Sequence, residues 1–127
     1  MRSPVRFRVA MLVASLAFVM STAAHAGTLR TPAVPANNGE IVDCLITNVG
    51  TKDATVSIQL INFAGIVIAP DQQDCGNGQL PPLRSCQATA PVNTPVSCVF
   101  TFKGKVRAAA YVFDGSNGLA GVVPATK

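Results

Sequence analysis

Four cysteines carry the clearest chemistry in this 127-residue chain: Cys44, Cys75, Cys86 and Cys98. Thiols in even number in a small domain either oxidise to disulfides or ligate a metal, zinc above all. No C-x-x-C spacing occurs, so the zinc reading lacks its usual ligand pattern. Four cysteines allow three pairings. Cys44 and Cys98 each sit inside an alternating apolar run, where they can bridge two sheets as the immunoglobulin core bridge does. Cys75 and Cys86 flank a loop rich in Gly and Pro, which their pairing would close. The favoured pairing is therefore Cys44 with Cys98 and Cys75 with Cys86.

Two further groups have chemistry in reach. Asp71, Asp74 and Asn77 put oxygen donors three apart in one loop, with Gly76 and Gly78 between and after them. A hard cation such as calcium takes such oxygens, but two carboxylates are few and the spacing is not that of an EF-hand. A solvated loop beside Cys75 explains the same residues. Lys103, Lys105 and Arg107 alternate along one stretch. They suit an anionic glycan, a lipid headgroup or an acidic protein. Charges also guard a sheet edge against aggregation, which is the plainer reading. No aromatic residues interleave with them, so single-strand nucleic-acid binding is not indicated.

Catalysis lacks parts. Glu40 is the only Glu, and Asp43, three residues on, falls on the opposite face of a strand. The two therefore cannot flank one bond as a glycosidase pair does. No serine lies in a G-x-S-x-G elbow. The only His, His25, lies in the N-terminal leader with all three Met, and the chain has no Trp. The expectation is a protein that is not an enzyme and holds no cofactor and no metal.

The leader explains the basic composition. Arg2, Arg6 and Arg8 precede an apolar run from Val9 to Met20, and Ala24-His25-Ala26 fits the small-x-small cleavage rule. The run is shorter than the roughly 20 residues that span a bilayer. Residues 1–26 read as a cleavable signal peptide on the Sec route, with membrane contact only before cleavage. Residues 27–127 then keep seven basic and six acidic side chains, a net +1. The protein is expected in the periplasm or outside the cell, where thiols oxidise.

The remaining elements read as strands. Residues 27–38 hold two prolines and form an extended segment. Period-two alternation predicts strands at Glu40 to Asn48 and Ala54 to Asn62, then a short one at Ile66 to Ala69. Leu80-Pro81-Pro82-Leu83 cannot sit in a central strand. A short edge strand is expected from Leu83 to Thr89, with Ala90 to Pro95 as a loop. Strands follow at Val96 to Lys103, Val106 to Phe113 and Leu119 to Val123, the last two joined by a hairpin loop over Asp114 to Gly118. About seven short strands with regular turn signals predict an all-β chain, an antiparallel, immunoglobulin-like β-sandwich over residues 39–127. A turn at Gly104-Lys105 and a loop over Lys103 to Lys105 give opposite faces to the strand that follows; the loop register points Arg107 outward.

The order Cys44-Leu45-Ile46-Thr47-Asn48, Val56-Ser57-Ile58-Gln59-Leu60 and Phe63-Ala64-Gly65, a Cys-bounded loop with Leu80-Pro81-Pro82, Cys98-Val99-Phe100 and Val106-Arg107-Ala108-Ala109 resembles small exported bacterial β-sandwich-like proteins of unassigned function. The resemblance implies a signal peptide, one or two disulfides and no catalytic residues. Val96 stands where a true immunoglobulin domain has its corner Tyr, two positions before the second Cys. The function expected is a binding or structural module of the cell envelope with an unknown protein or glycan partner. The alternatives are a pilus- or coat-like subunit that assembles through its N-terminal segment, and a small protease inhibitor presenting the Cys75–Cys86 loop. The chain would accordingly be a monomer or a self-assembling subunit. The intact mass of the exported protein should show the hydrogen deficit of two disulfides; a mass matching four free thiols overturns that expectation.

Overall fold

The computed structural model describes residues 25–35, 39–116 and 118–127; all but the last two residues of the 1–26 signal-peptide reading lie outside them. The chain forms two antiparallel sheets packed face to face. Its strands are β1 (Ala26–Arg30), β2 (Glu40–Asn48), β3 (Ala54–Asn62), β4 (Val67–Ile68), β5 (Gln72–Gln73), β6 (Gln79–Leu80), β7 (Ser85–Val92), β8 (Val96–Lys103), β9 (Val106–Phe113) and β10 (Leu119–Pro124). One sheet runs β1-β8-β3-β4, with β6 also on β3, and the other runs β10-β9-β2-β7-β5.

Alternation builds the core. Val42, Cys44 and Ile46 of β2, and Ala54, Val56, Ile58 and Leu60 of β3, point inward and are buried. From β8 come Val96, Cys98, Phe100 and Phe102; from β9 come Ala110 and Val112, with Val106 and Ala108 packed against them. The outward residues of β3 are Thr55, Ser57 and Gln59, so period two separates core from solvent cleanly. The bounds of β2, β3, β8 and β9 match the sequence reading. Strand β7 begins later than expected, at Ser85, and runs on through Pro91 to Val92. It is flanked by β2 along its length, while β5 covers only Ala88 and Thr89 on its other side. Pro91 therefore sits where that outer side has no strand needing an N–H.

The connections decide what each end presents. The chain leaves β8 in one sheet and enters β9 in the other through Gly104-Lys105, so these strands are not a hairpin. The inward set of β9 is Val106, Ala108, Ala110 and Val112, and Arg107 points out. The pairs β2–β7 and β3–β8 correspond to the immunoglobulin pairs B–E and C–F. The outer strands depart from that order: β9 lies beside β2, and β1 lies beside β8. At the C-terminus the chain crosses sheets again. Arg30 N–H donates to Thr126 O at 2.8 Å and Thr126 N–H donates to Arg30 O at 3.0 Å, a single bridge at the Arg30 end of the free edge of β1. Thr31, 1% exposed, fastens the end of β1 to β8: its N–H donates to Cys98 O at 3.0 Å and its Oγ1 accepts from Cys98 N–H at 2.9 Å.

Cleavage after Ala26 would fall at the first residue of β1. It would leave Gly27 to Arg30 paired with β8 and remove the His25 carbonyl that accepts from Gly104 N–H at 2.7 Å.

Gly104 makes the sheet-to-sheet crossing possible. Its φ is +130°, and a Cβ there would lie 2.9 Å from the Ala54 Cβ and 3.2 Å from its Cα. Both the backbone conformation and the approach to a buried strand exclude a side chain. Gly104→Ala should cost roughly 3 kcal/mol in a denaturant titration, with the slope unchanged. A loss no larger than that of an ordinary surface substitution would show that the crossing tolerates a Cβ.

Candidate functional site

The two disulfides join Cys44 to Cys98 and Cys75 to Cys86. The first links β2 and β8, each inside a different sheet, and both its residues are 0% exposed. The second ties the loop after β5 to β7 and closes the segment from Cys75 to Cys86. Asp74 Oδ1 accepts from Gln87 N–H at 2.6 Å, and Asn77 Oδ1 accepts from Gln79 N–H at 3.1 Å. Two of the three proposed cation ligands thus serve the backbone around the staple. Asp74 also lies close to the sulfurs of Cys75 and Cys86, but those sulfurs are bonded to each other and offer no thiolate.

The basic residues do not line one face. Lys103 points outward from the β1-β8-β3 sheet, Arg107 points outward from the β9-β2-β7 sheet, and Lys105 occupies the crossing between them. They are set around one end of the sandwich, because β8 ends there and β9 begins there. The sequence stripe is a ring in space.

The same end collects two more cations through Asn48, which the sequence reading did not single out. Asn48 is the last residue of β2 and is 0% exposed. Its Nδ2 donates to Lys52 O and to Leu80 O, each at 2.8 Å, and its Oδ1 accepts from Gly50 N–H at 2.8 Å. Its backbone N–H donates to Arg84 O at 2.9 Å and its carbonyl accepts from Leu83 N–H at 3.0 Å. One buried amide therefore holds the loop after β2 against the loop before β7. Each of its bonds contributes about 1 kcal/mol. The sequence signal was weak: an Asn ending a strand before Gly reads only as a turn.

The loop that Asn48 holds is a turn with an unusual occupant. Arg84 N–H donates to Pro81 O at 3.2 Å across Pro82 and Leu83, and Leu83 has φ +62°. That is the pattern of a type II turn, with Pro favoured at its second position and Gly or Asn at its third. Leu83 fills the third position, 84% exposed. Its left-handed backbone costs on the order of 1 kcal/mol, and its side chain recovers nothing from the core. Pro82 fixes the preceding φ, Asn48 holds the Leu83 amide, and the Cys75–Cys86 bridge closes the segment. Val49, 43% exposed, adds a second apolar side chain at this end.

Elsewhere the groups are less organised. A cleft of about 270 Å³ at the opposite end is lined by Val34, Pro35, Glu40, Val112 and Val123, apolar but for one carboxylate. Glu40 and Asp43 lie on opposite faces of β2, as its alternation requires. Asp43 stands on the outer face of its sheet, in register with Thr89 on β7 and Tyr111 on β9. Burial pushes its carboxyl above the ordinary 3.8; the hydrogen bond from the Thr89 hydroxyl opposes this and the charge of Asp74 adds to it. Asp114, in the β9–β10 loop, shifts the other way, because the Gly118 and Ser116 N–H groups donate to its carboxylate. The N-terminal segment, the strand an assembly subunit would donate, pairs β1 with β8 of its own chain.

No protein-family model matches the chain, and no curated protein matches it in sequence. Among solved structures, the crystal structure of Thermotoga maritima 1070 is similar in fold, with a TM-score of 0.56 and 16% identity over 80% of this chain and 93% of that one. A likeness at that identity concerns the arrangement of strands.

The raised Asp43 gives stability a sign in pH. The folded state holds its proton more tightly than the unfolded state, so the Asp43 contribution to stability is greatest below the ordinary value of 3.8 and is lost as pH rises through the raised value. Asp43→Asn should remove that decline and leave the protein at least as stable as the parent at neutral pH. Denaturant titrations of both proteins across that window check it. An unchanged slope in the variant assigns the decline to another group.

Proposed function

We propose that this protein is a non-catalytic binding module of the oxidising cell envelope, which makes contact through the end organised by Asn48. The supporting observation is Leu83, an apolar side chain 84% exposed on a backbone that disfavours it. A connecting turn has no use for that combination; a preorganised contact does, because loop ordering is completed before the partner arrives. The two disulfides support an oxidising location. Export through Sec, with cleavage after Ala26, rests on the leader.

The inhibitor reading fits this loop less well. A bait segment must lie extended to pair with an enzyme strand, and the left-handed φ of Leu83 interrupts extension. The assembly reading requires β1 to leave its own sheet, where it holds register from Ala26 to Arg30 against Lys103 to Val99.

A photoreactive side chain placed at position 83 tests the proposal in living cells. It should label an envelope component, protein or lipid, while the same group at Ser116, exposed at the other end, should not. Equal labelling from both positions, or turnover of any substrate by the purified protein, overturns it.

A further inference from the structure

The contact end has a chemistry that narrows its partner. Five of the seven basic residues in 27–127 surround it: Lys52, Arg84, Lys103, Lys105 and Arg107. The hydrogen bonds from Asn48 place Lys52 and Arg84 together, and the bond from Val49 N–H to Lys105 O at 2.9 Å adds Lys105. Lys103 and Arg107 stand at the strand ends on either side of that crossing. All five are exposed, and Asp53 is the acidic residue among these loops. The net charge of residues 27–127 is only +1, so the positive field is local to this end.

We infer that this end docks on an anionic phospholipid surface. This rests on the reading of the same end as the contact surface. Leu83 would enter the boundary between headgroups and acyl chains, and Lys52, Arg84 and Lys105 would meet the lipid phosphates. Lys103 and Arg107 would approach from the two sides. Apolar groups at a tip with cations around them are what an interfacial surface selects. A protein pocket or a single glycan would be met by a groove or by converging donors. Here the cations come from separate loops around a protruding turn, and the described cleft is at the other end. Each cation near such a surface is worth about fivefold in partitioning, and partial burial of one leucine about tenfold. The contact therefore adds a membrane role beyond the one that the leader has before cleavage.

Co-sedimentation of the oxidised exported protein with vesicles tests the inference. Phosphatidylcholine vesicles containing phosphatidylglycerol should bind it, pure phosphatidylcholine vesicles should not, and added salt should release it. Leu83→Gly should weaken binding about tenfold without lowering the melting temperature, since Gly suits the left-handed position. Lys105→Gln should weaken it about fivefold. Arg30→Gln makes the same charge change on β1, away from this end, and should have little effect. At the opposite end Phe63, 75% exposed, stands on the β3–β4 turn with the exposed Ile66, and Phe63→Ser should leave binding intact.

Several results overturn the inference. One is no binding to the anionic vesicles. Another is equal weakening by Arg30→Gln and Lys105→Gln, which would mean attraction without a site. A third is loss of binding in Phe63→Ser but not in Leu83→Gly, which would place the contact at the wrong end. A fourth is full retention of binding by Leu83→Gly together with equal competition from a soluble sulfated glycan, which would make the end a polyanion site. If vesicles fail while the photoreactive group at position 83 labels a protein, the lipid inference falls and the binding module stands. If both fail, both fall.

Discussion

The Cys44–Cys98 bridge is the constraint around which this sandwich is arranged. It joins the second strand to the eighth, 54 positions apart, and both residues are wholly buried. The chain-entropy account gives a loop of that length about 4 kcal/mol, a large share of what a domain of this size retains. Its position matters as much. Each cysteine belongs to a strand with neighbours on both sides, so the bridge fixes the two sheets by their interiors. Thr31 then binds both backbone groups of Cys98, so the first strand is attached at the bridge itself. The Arg30–Thr126 pair continues from that attachment and ties the C-terminus to the same edge. The Arg30 end of the first strand's free edge is thereby occupied by the chain's own end.

With the sheets fixed from within, the loops at the Asn48 end can carry conformations that a weaker scaffold would relax. Asn48 is a polar side chain buried completely, and such a group stabilises only when its hydrogen bonds are all made. It makes three through its amide, two of them to carbonyls of different loops. The amide therefore sets the distance between the loop after the second strand and the loop before the seventh. The Cys75–Cys86 bridge acts on the second of these loops from the far side. Its loop is short, 11 positions, and the entropic account gives it about 3 kcal/mol. Neither device adds much core. Both restrict where the turn at Leu83 can go.

The legibility of the sequence follows the same physics. The second, third, eighth and ninth strands could be bounded because one face of each is buried, and burial writes period two into the residues. Gln72–Gln73 and Gln79–Leu80 each pair over only two residues, too short for any period to show. The start of the seventh strand was misplaced because Leu83 looks like a strand residue and is a turn residue. The bond to the Asn48 carbonyl, which is tertiary, joins Pro82 and the Pro81–Arg84 bond in holding it there. The basic residues at 103, 105 and 107 alternate as though they shared a face. They do not, because the chain changes sheets between them, and nothing local in the sequence states which sheet a strand joins. Asp43 shows the converse. Its place opposite the inward residues was legible; its raised titration comes first from burial by the packed strands, which the Thr89 hydroxyl opposes and the charge of Asp74 reinforces, and all of these are tertiary.

The turn at Leu83 sets backbone strain and its compensation side by side within one short stretch. A turn selected only for connection would take Gly or Asn at that position and avoid the backbone strain. Leucine does restrict the unfolded chain more than glycine, which recovers part of the cost through the unfolded state. That gain would be larger at a position whose native φ suits a side chain, and φ +62° does not. Nor does the side chain return to the core, since it is 84% exposed. The unfavourable terms thus fall on one residue, while the compensating ones fall on its neighbours: proline at the preceding position, the buried asparagine beneath, the disulfide behind. When strain and its compensation are so divided, the strained residue is the one to which a role outside the folded chain should be assigned.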